Sequence, residues 1–351
     1  MEKPLFCVLI RLSFLFVTLA TATFVAFAGP KSYETLPKDV SGPRLFGEGV
    51  ISTPGDEAGG EFSPDGSEFY FTVLNPATAG SRIGLLCVTH WLGTKWGAPE
   101  VLPFSGKSLD FLPHLSPDGK MMYFASLRSP ANSKVRAVRI WKVEKTDRGW
   151  GEPVALPAPV NPADGGGNWG ASVTRDGTLY FASDRDSGRL QIFRARPQAS
   201  GYGAPEKLGN EINSEFNDFE PFVNADETML FFVSAGEGGP PFRRRPDTLT
   251  EGGFPYPRGD IYFSRRVSGK WTQAQHLEHG VNTVADEGAP ALTPDGKFLI
   301  FGSERSPFVI PMPHPISMQE FDRLVHSTQN GHWNIFSMPL AGLKLGAGGR
   351  P

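Results

Sequence analysis

Hydrophobic residues recur along the chain in short runs of strand length, and five of these runs follow a similar tight turn. In the first repeat the turn at residues 62–66 leads to the aromatic run 69–71. Pro presets φ, Asp bonds its own downstream backbone and Gly tolerates positive φ, so Pro-Asp-Gly predicts a hairpin turn. The following run is apolar on both faces, which is typical of a strand packed between neighbouring sheets. The turn aspartates, to which we assign a structural role, are Asp65, Asp118, Asp176, Asp226 and Asp295.

Each repeat continues with an alternating third strand, and four repeats reach a fourth strand after an aromatic corner such as Trp96-Gly-Ala-Pro99. Four strands in each repeat are the signature of a β-propeller blade. The fifth repeat lacks a fourth strand, whereas an unpaired strand at residues 45–51 precedes the first repeat. Pairing the two would close the ring and remove an exposed sheet edge. The sequence therefore predicts an all-β, five-bladed propeller closed by its N-terminal strand, with six blades as the alternative.

The repeats resemble the WD-like propeller repeats of TolB-type periplasmic proteins, whose blades also carry an Asp-Gly turn followed by Tyr-Phe-x-Ser. The resemblance implies a propeller fold and a periplasmic location. The expected boundaries are a signal peptide at 1–28, a linker at 29–43, the propeller at 44–340 and a flexible tail at 341–351. Blades are expected near 54–106, 107–161, 162–213, 214–283 and 284–340, the last completed by the strand at 44–53.

The N-terminus has the pattern of an export signal. Lys3 and Arg11 supply positive charge, an apolar run spans residues 12–27, and Ala26-Phe27-Ala28 matches a signal-peptidase site. An uncleaved membrane anchor is the alternative. We expect an exported protein, periplasmic or extracellular, with no membrane span after cleavage. Cys87 is then the one cysteine left, which excludes an internal disulfide.

Net charge argues against one class of partner. The chain has 34 Lys and Arg against 37 Asp and Glu, so it lacks the basic footprint of a nucleic-acid-binding protein.

Polar side chains recur eight residues before each turn aspartate, where each innermost strand should begin. They are expected to surround the mouth of the central channel and to bind a ligand there. Carboxylates at close quarters cost free energy unless a cation or hydrogen-bond donors compensate them. No cofactor is expected, and calcium is the one cation that the sequence leaves open. These candidates are Glu57, Asp110, Asn168, Asp218 and Glu287, with Asp286 and Glu220 close by.

A structural alternative for the same polar side chains comes from arginines. Arg128, Arg185 and Arg305 each follow a strand-ending serine by two residues and should reach the same face. They would pair with the ring acids and lock the blades together. The first and fourth repeats lack this arginine, so Glu57 and Asp218 are the better ligand candidates.

Two long insertions, 235–259 and 306–332, interrupt the fourth and fifth repeats between the second and third strands. Both should lie on the face that carries the acids. Arg243, Arg244 and Tyr256 of the first could line a cleft, and Ser317 with Glu320 of the second predicts a capped helix. The alternative is a pair of surface loops packed on each other.

No Gly-x-Ser-x-Gly, phosphate-binding loop or His-Glu-x-x-His motif occurs in the chain. The sequence therefore favours a non-catalytic recognition or scaffold protein that binds a peptide, a protein partner or a glycan. The alternative is a carbohydrate-active enzyme, since propeller glycosidases place carboxylate pairs on innermost strands. Its acid and base or nucleophile would come from Glu57, Asp110, Asp218, Asp286 and Glu287.

Overall fold

The fold is taken from a computed structural model, which describes residues 31–39, 41–75, 83–129, 137–163, 166–186, 188–235, 259–307, 314–343 and 345. The predicted signal peptide at 1–28 lies outside these residues. None of the helices in the described part of the chain combines the length and the apolar character needed to cross a membrane.

Within the described residues, five antiparallel sheets form the blades of a β-propeller, which confirms the predicted fold. Blade one holds β2 (Asp56–Phe62), β3 (Glu68–Leu74), β4 (Gly84–His90) and β5 (Glu100–Val101); blade two β6 (Asp110–Leu115), β7 (Met121–Ser126), β8 (Arg139–Thr146) and β10 (Val154–Ala155); blade three β11 (Asn168–Val173), β12 (Leu179–Ser183), β13 (Gln191–Ala195) and β16 (Glu206–Lys207). Blade four holds β17 (Asp218–Val223), β18 (Met229–Ser234), β19 (Asp260–Val267) and β21 (Gln275–His276); blade five β22 (Glu287–Leu292), β23 (Phe298–Ser303), β24 (Asn334–Pro339) and β1 (Arg44–Leu45).

The remaining elements are short. They are the paired strands β14 (Pro197–Gln198) and β15 (Gly201–Tyr202), the strands β9 (Gly149–Trp150) and β20 (Lys270–Trp271), 3-10 turns at Ser32–Thr35 and Leu340–Gly342, and the helix α1 (Met318–Val325).

The antiparallel order gives the ring two distinct faces. The connections between blades and the loops between second and third strands lie on one side, which we call the loop face. The hairpin turns between first and second strands lie on the other, the turn face. The insertion in blade five, including α1, therefore belongs to the loop face.

The ring is closed by its N-terminal strand. β1 pairs antiparallel with β24, with Arg44 opposite Ser337 and Leu45 opposite Phe336. The Phe46 N–H extends the pairing by donating to the Ile335 carbonyl at 2.8 Å. This strand is shorter than expected because the chain turns back at Gly47 and Gly49, which adopt positive φ, and the Ile51 N–H bonds the Gly47 carbonyl.

Packed aromatic rings at the blade interfaces make the core. Phe46 is 3% exposed, and its ring centroid lies 4.8 Å from that of Phe69 and 5.5 Å from that of Phe62. Tyr33, from the segment assigned as a linker, is also buried, and the Ser32 hydroxyl donates to the Gly66 carbonyl at 2.5 Å. The segment around Tyr33 is therefore part of the folded domain.

The hairpin turns place a glycine at positive φ in blades one, two, three and five. At the second turn, the Ser116 hydroxyl and the Lys120 N–H hold the pKa of Asp118 below its ordinary value. Blade four departs from this pattern, because there the side-chain oxygen of Asn224 accepts hydrogen bonds from the Thr228 and Met229 N–H groups. Asp226 there forms an exposed ion pair with Arg175.

The closing strand generates a stability prediction. Phe46→Ala removes a buried ring from the interface of blades five and one, and we expect a loss of about 3–5 kcal/mol in the free energy of unfolding. Urea denaturation measures this loss. The matched control is Phe321→Ala on α1, where the ring is 51% exposed. We expect a change within about 0.5 kcal/mol for the control. Equal losses in both variants would contradict ring closure through Phe46.

Candidate functional site

The five polar residues predicted to bind a ligand begin, or nearly begin, the innermost strands and are all buried. Each is at most 3% exposed. Their side chains turn to the connection that enters their own blade. Glu57 shows the arrangement, because its carboxylate accepts from the Thr53 N–H at 2.9 Å and from the Thr53 hydroxyl at 2.5 Å. The ring of acids therefore holds the connecting loops.

The same arrangement recurs around the propeller. Thr283 donates its N–H and hydroxyl to Glu287, and Ser214 does the same to Asp218. In each case the hydroxyl residue lies four positions before the acid. This spacing is a second repeat motif in the sequence, and it could have predicted the role of the acids.

A side-chain amide, buried in Asn213 and partly buried in Asn282, precedes two of these hydroxyl residues and completes the motif. The Asn213 side chain bonds the N–H and carbonyl of Ile192 in the third strand of the preceding blade. Asn282 bonds Ile261 in the same way. Each connection is therefore tied both to the blade that it leaves and to the blade that it enters.

The arginines named in the sequence analysis contact the ring residues. Arg128 donates from Nε to one oxygen of Asp110 at 2.8 Å and from an Nη to the other at 2.7 Å. Arg305 lies 3.3 Å from Glu287, and Arg185 donates to the Asn168 amide oxygen at 3.3 Å. Charge-assisted hydrogen bonds of this kind offset the cost of burying a carboxylate.

Blade four holds its acid without an arginine. Ser214 and the Gln191 side-chain amide, which lies 3.2 Å from the carboxylate, are neutral donors to Asp218. Burial raises the pKa of Asp218 above its ordinary value, and it raises the pKa of Glu57 and Glu287 as well. These carboxylates are desolvated groups that a ligand could reach only by displacing their present donors.

The wall of the central channel is formed by the residues that follow the acids. Two positions after each acid or amide, the innermost strand bulges and one residue adopts a left-handed φ. Residues at and just after these bulges line a cavity of about 40 Å³, a volume of the size that a few water molecules need. The left-handed residues are Gly59, Leu112, Gly170, Glu220 and Ala289.

Side-chain hydrogen bonds join neighbouring blades around the wall of this channel. The Glu61 carboxylate accepts from the Leu115 N–H at 3.0 Å and lies 2.9 Å from Nδ1 of His114. His114 Nε2 accepts from the Val173 N–H at 3.0 Å, so His114 joins the walls of blades one, two and three. Glu220, a predicted ligand residue, accepts from the Ala289 N–H at 2.6 Å. Sequence reasoning missed Glu61 and His114, because their role depends on contacts between blades.

The remaining predicted ligand residues are Asp286 and three residues of the first insertion. Asp286 is 9% exposed at the end of the connection into blade five, directly before β22. Arg243, Arg244 and Tyr256 lie outside the described residues. Among the side chains that the structure describes, there is no group of three or more His, Cys, Asp or Glu that could hold a metal ion.

The loop face also carries an exposed apolar patch. α1 begins with the predicted capping box, in which the Ser317 hydroxyl accepts from the Glu320 N–H, and the helix buries none of its side chains. Met318, Phe321 and Val325 are 79%, 51% and 46% exposed.

The contrast between blades two and four gives a prediction. Arg128→Met leaves the buried Asp110 carboxylate without its cation, so we expect a loss of about 3–5 kcal/mol in the free energy of unfolding. Asp218→Asn should cost about 1 kcal/mol, because the acid there has only neutral donors and blade three already uses an amide at this position. Denaturant unfolding of both variants measures the difference. A larger loss in Asp218→Asn than in Arg128→Met would contradict the assigned roles.

No protein-family model and no curated protein matches the chain. Solved structures do match. A putative TolB from Agrobacterium tumefaciens is 15% identical with a TM-score of 0.44 and covers 82% of this chain and 91% of its own. The catalytic domain of a GH62 α-L-arabinofuranosidase from Coprinopsis cinerea is 12% identical (TM-score 0.47; 87% and 98% covered). A puromycin-hydrolyzing peptidase from Mycobacterium tuberculosis is 14% identical (TM-score 0.38; 74% and 35% covered). The likeness concerns the fold, and the activities named belong to those proteins.

Proposed function

We propose that the protein is exported and acts as a non-catalytic recognition module that holds a protein partner on its loop face. One observation carries the proposal. Of the nine large hydrophobic side chains that are exposed among the described residues, five lie on the loop face. Exposed apolar side chains that cluster on one face are typical of protein-interaction sites. The five are Ile83, Val284, Met318, Phe321 and Val325.

The patch on α1 is ordered before a partner arrives. Met318, Phe321 and Val325 are spaced by three and four residues and therefore share one side of the helix. The Asn330 side-chain amide donates to the Val325 carbonyl at the helix end and to the Pro54 carbonyl of the neighbouring connection. A surface that is already ordered loses less conformational entropy on binding.

The hydrogen bonds of the ring acids support binding over catalysis. In the alternative, a carbohydrate-active enzyme, two of these acids would have to act on a sugar. Glu57 and Glu287 are instead held by hydroxyl and backbone donors of their own connections. The channel cavity of about 40 Å³ is far smaller than the pockets of about 300–1,000 Å³ that small molecules occupy. Calcium at the acids would compete with the same donors.

The sequence supports export. Residues 1–28 have the charge, the apolar run and the small-x-small ending of a signal peptide. Cys87, the one cysteine beyond that segment, is buried, and burial raises the pKa of its thiol to about 11. A thiol of this kind is unreactive, which suits an oxidising compartment.

A photo-crosslinking amino acid in place of Phe321 tests the proposal. In envelope extract of the source cells, we expect one dominant protein adduct from position 321. The matched control carries the crosslinker in place of Val154, which is 58% exposed on the outermost strand of blade two. With the adduct protein purified, Phe321→Ser should raise the Kd about 10- to 100-fold, since burying a Phe ring contributes about 1.5–3 kcal/mol.

Two results would contradict the proposal. The first is the same set of adducts from positions 321 and 154, because the apolar patch would then have no specificity. The second is turnover of an oligosaccharide that Glu57→Gln or Glu287→Gln abolishes, because the ring acids would then be catalytic.

A further inference from the structure

His276 lies between two carboxylates at the loop-face edge of blade four. Its Nε2 is 3.0 Å from a carboxylate oxygen of Asp260, and its Nδ1 is 3.2 Å from one of Glu278. Asp260 is a buried residue of β19, and Glu278 belongs to the connection that leaves β21. The proposed docking of a partner does not use these residues.

Both ring nitrogens of His276 face an acceptor, so both must carry a proton to form hydrogen bonds. A neutral imidazole has only one N–H, and its other nitrogen would direct a lone pair at a carboxylate. The hydrogen bond to Asp260, followed by that to Glu278, raises the pKa of His276 above its ordinary value, whereas burial lowers it. The geometry and the pKa therefore both favour the charged ring.

Among the described residues, the charged and titratable groups around the ring are these two acids and, farther away, Tyr262 and Asp218. The Tyr262 ring of β19 lies edge-on with its centroid 5.3 Å from that of His276. Burial, with the charges of Asp260 and Asp218, raises the pKa of Tyr262, so that phenol stays neutral while His276 titrates.

The strand that carries His276 is attached by few bonds. β21 pairs with β19 at two positions only, Tyr262 with His276 and Phe263 with Gln275. The Leu277 N–H adds one bond to the Ile261 carbonyl at 3.1 Å, and the Asn282 side-chain amide donates to the Leu277 carbonyl at 2.9 Å. Side chains therefore contribute to what fixes this edge of the blade, His276 at the strand and Asn282 in the connection that follows it.

We propose that His276 is a pH-operated clamp of blade four. With both nitrogens protonated, the ring ties β21 to Asp260 and ties the start of the connection 277–286 to Glu278. Loss of one proton to solvent breaks one of these two bonds and loosens β21 together with the connection. The clamp operates whether or not the loop face binds a partner.

The direction of the pH effect follows from the raised pKa of His276. Because the pKa of His276 is raised by folding, its stabilising effect is complete below the unfolded value of about 6.5 and is lost as the pH rises through the folded pKa. Hydrogen exchange of the Leu277 amide, expressed as a protection factor, reports the clamp. Between about pH 6 and pH 9 we expect this factor to fall several-fold in the unaltered protein.

Variants separate the clamp from other causes. In His276→Gln the protection factor of Leu277 should be low and nearly independent of pH over this range. Glu278→Gln should make the fall in the Leu277 protection factor smaller over this pH range, because the bond between His276 and Asp260 remains. His90→Gln is the matched control and should behave as the unaltered protein does, since His90 Nδ1 is 3.7 Å from Glu68, beyond hydrogen-bond distance.

The proposal is overturned if Leu277 protection in the unaltered protein is constant over the range, or if His276→Gln keeps the full pH dependence. A direct NMR titration of the His276 ring decides the matter if that variant fails to fold. A ring pKa above about 6.5 supports the clamp, and one below that value overturns it.

Discussion

The propeller depends on the way in which one blade is joined to the next. Each connection enters its blade at a buried polar side chain, and that side chain satisfies the polar groups of the connection itself. Backbone N–H groups left unbonded at these positions would each cost about 1–3 kcal/mol. The pairs Thr53 with Glu57, Ser214 with Asp218 and Thr283 with Glu287 show the same solution at three of the joints. These hydrogen bonds fix the orientation of neighbouring sheets without any contribution from a bound partner.

The buried polar side chains at the start of each blade belong to the interior of the ring, whereas the loop face belongs to its surface. The acids that look like a binding site in the sequence bond the connections between sheets, and arginines contact two of these acids. On the loop face above them, the loops between second and third strands differ in length from blade to blade, and it is there that α1 and its apolar side chains lie. A rigid ring with a variable face suits a recognition protein, since loops on a rigid scaffold tolerate change without loss of the fold.

The sequence was sufficient to predict the blades and their closure, because turn residues and strand periodicity are local signals. The helix α1 was also predictable, since Ser317 and Glu320 form their capping box within one turn. The pairing of Arg128 with Asp110 was one of the two alternatives that the sequence offered, and the folded blade decides between them. The spacing of Thr53 and Glu57 is also a sequence signal, but the direction of the Glu57 carboxylate follows from it only once the connection is folded.

The channel wall was still harder to predict. The contact of His114 with Glu61 and Val173 joins three blades, and a left-handed Leu112 before a proline has no simple sequence signature.

In blade four the pattern of the hairpin turn itself changes. Glu227 takes a positive φ there and pairs with Arg266 and the Tyr180 hydroxyl, partners from two blades that offset the strain.

The central claim is that the ring acids are interior groups with saturated hydrogen bonds. Carbodiimide labelling of carboxylates in the native protein, read by mass spectrometry, tests this most directly. The account predicts that Glu57, Asp110, Asp218 and Glu287 react only at the rate of global unfolding, whereas the exposed Glu100 reacts at once. Rapid labelling of the four in the folded protein would show that their carboxylates are open to solvent and to ligands, and would contradict the account.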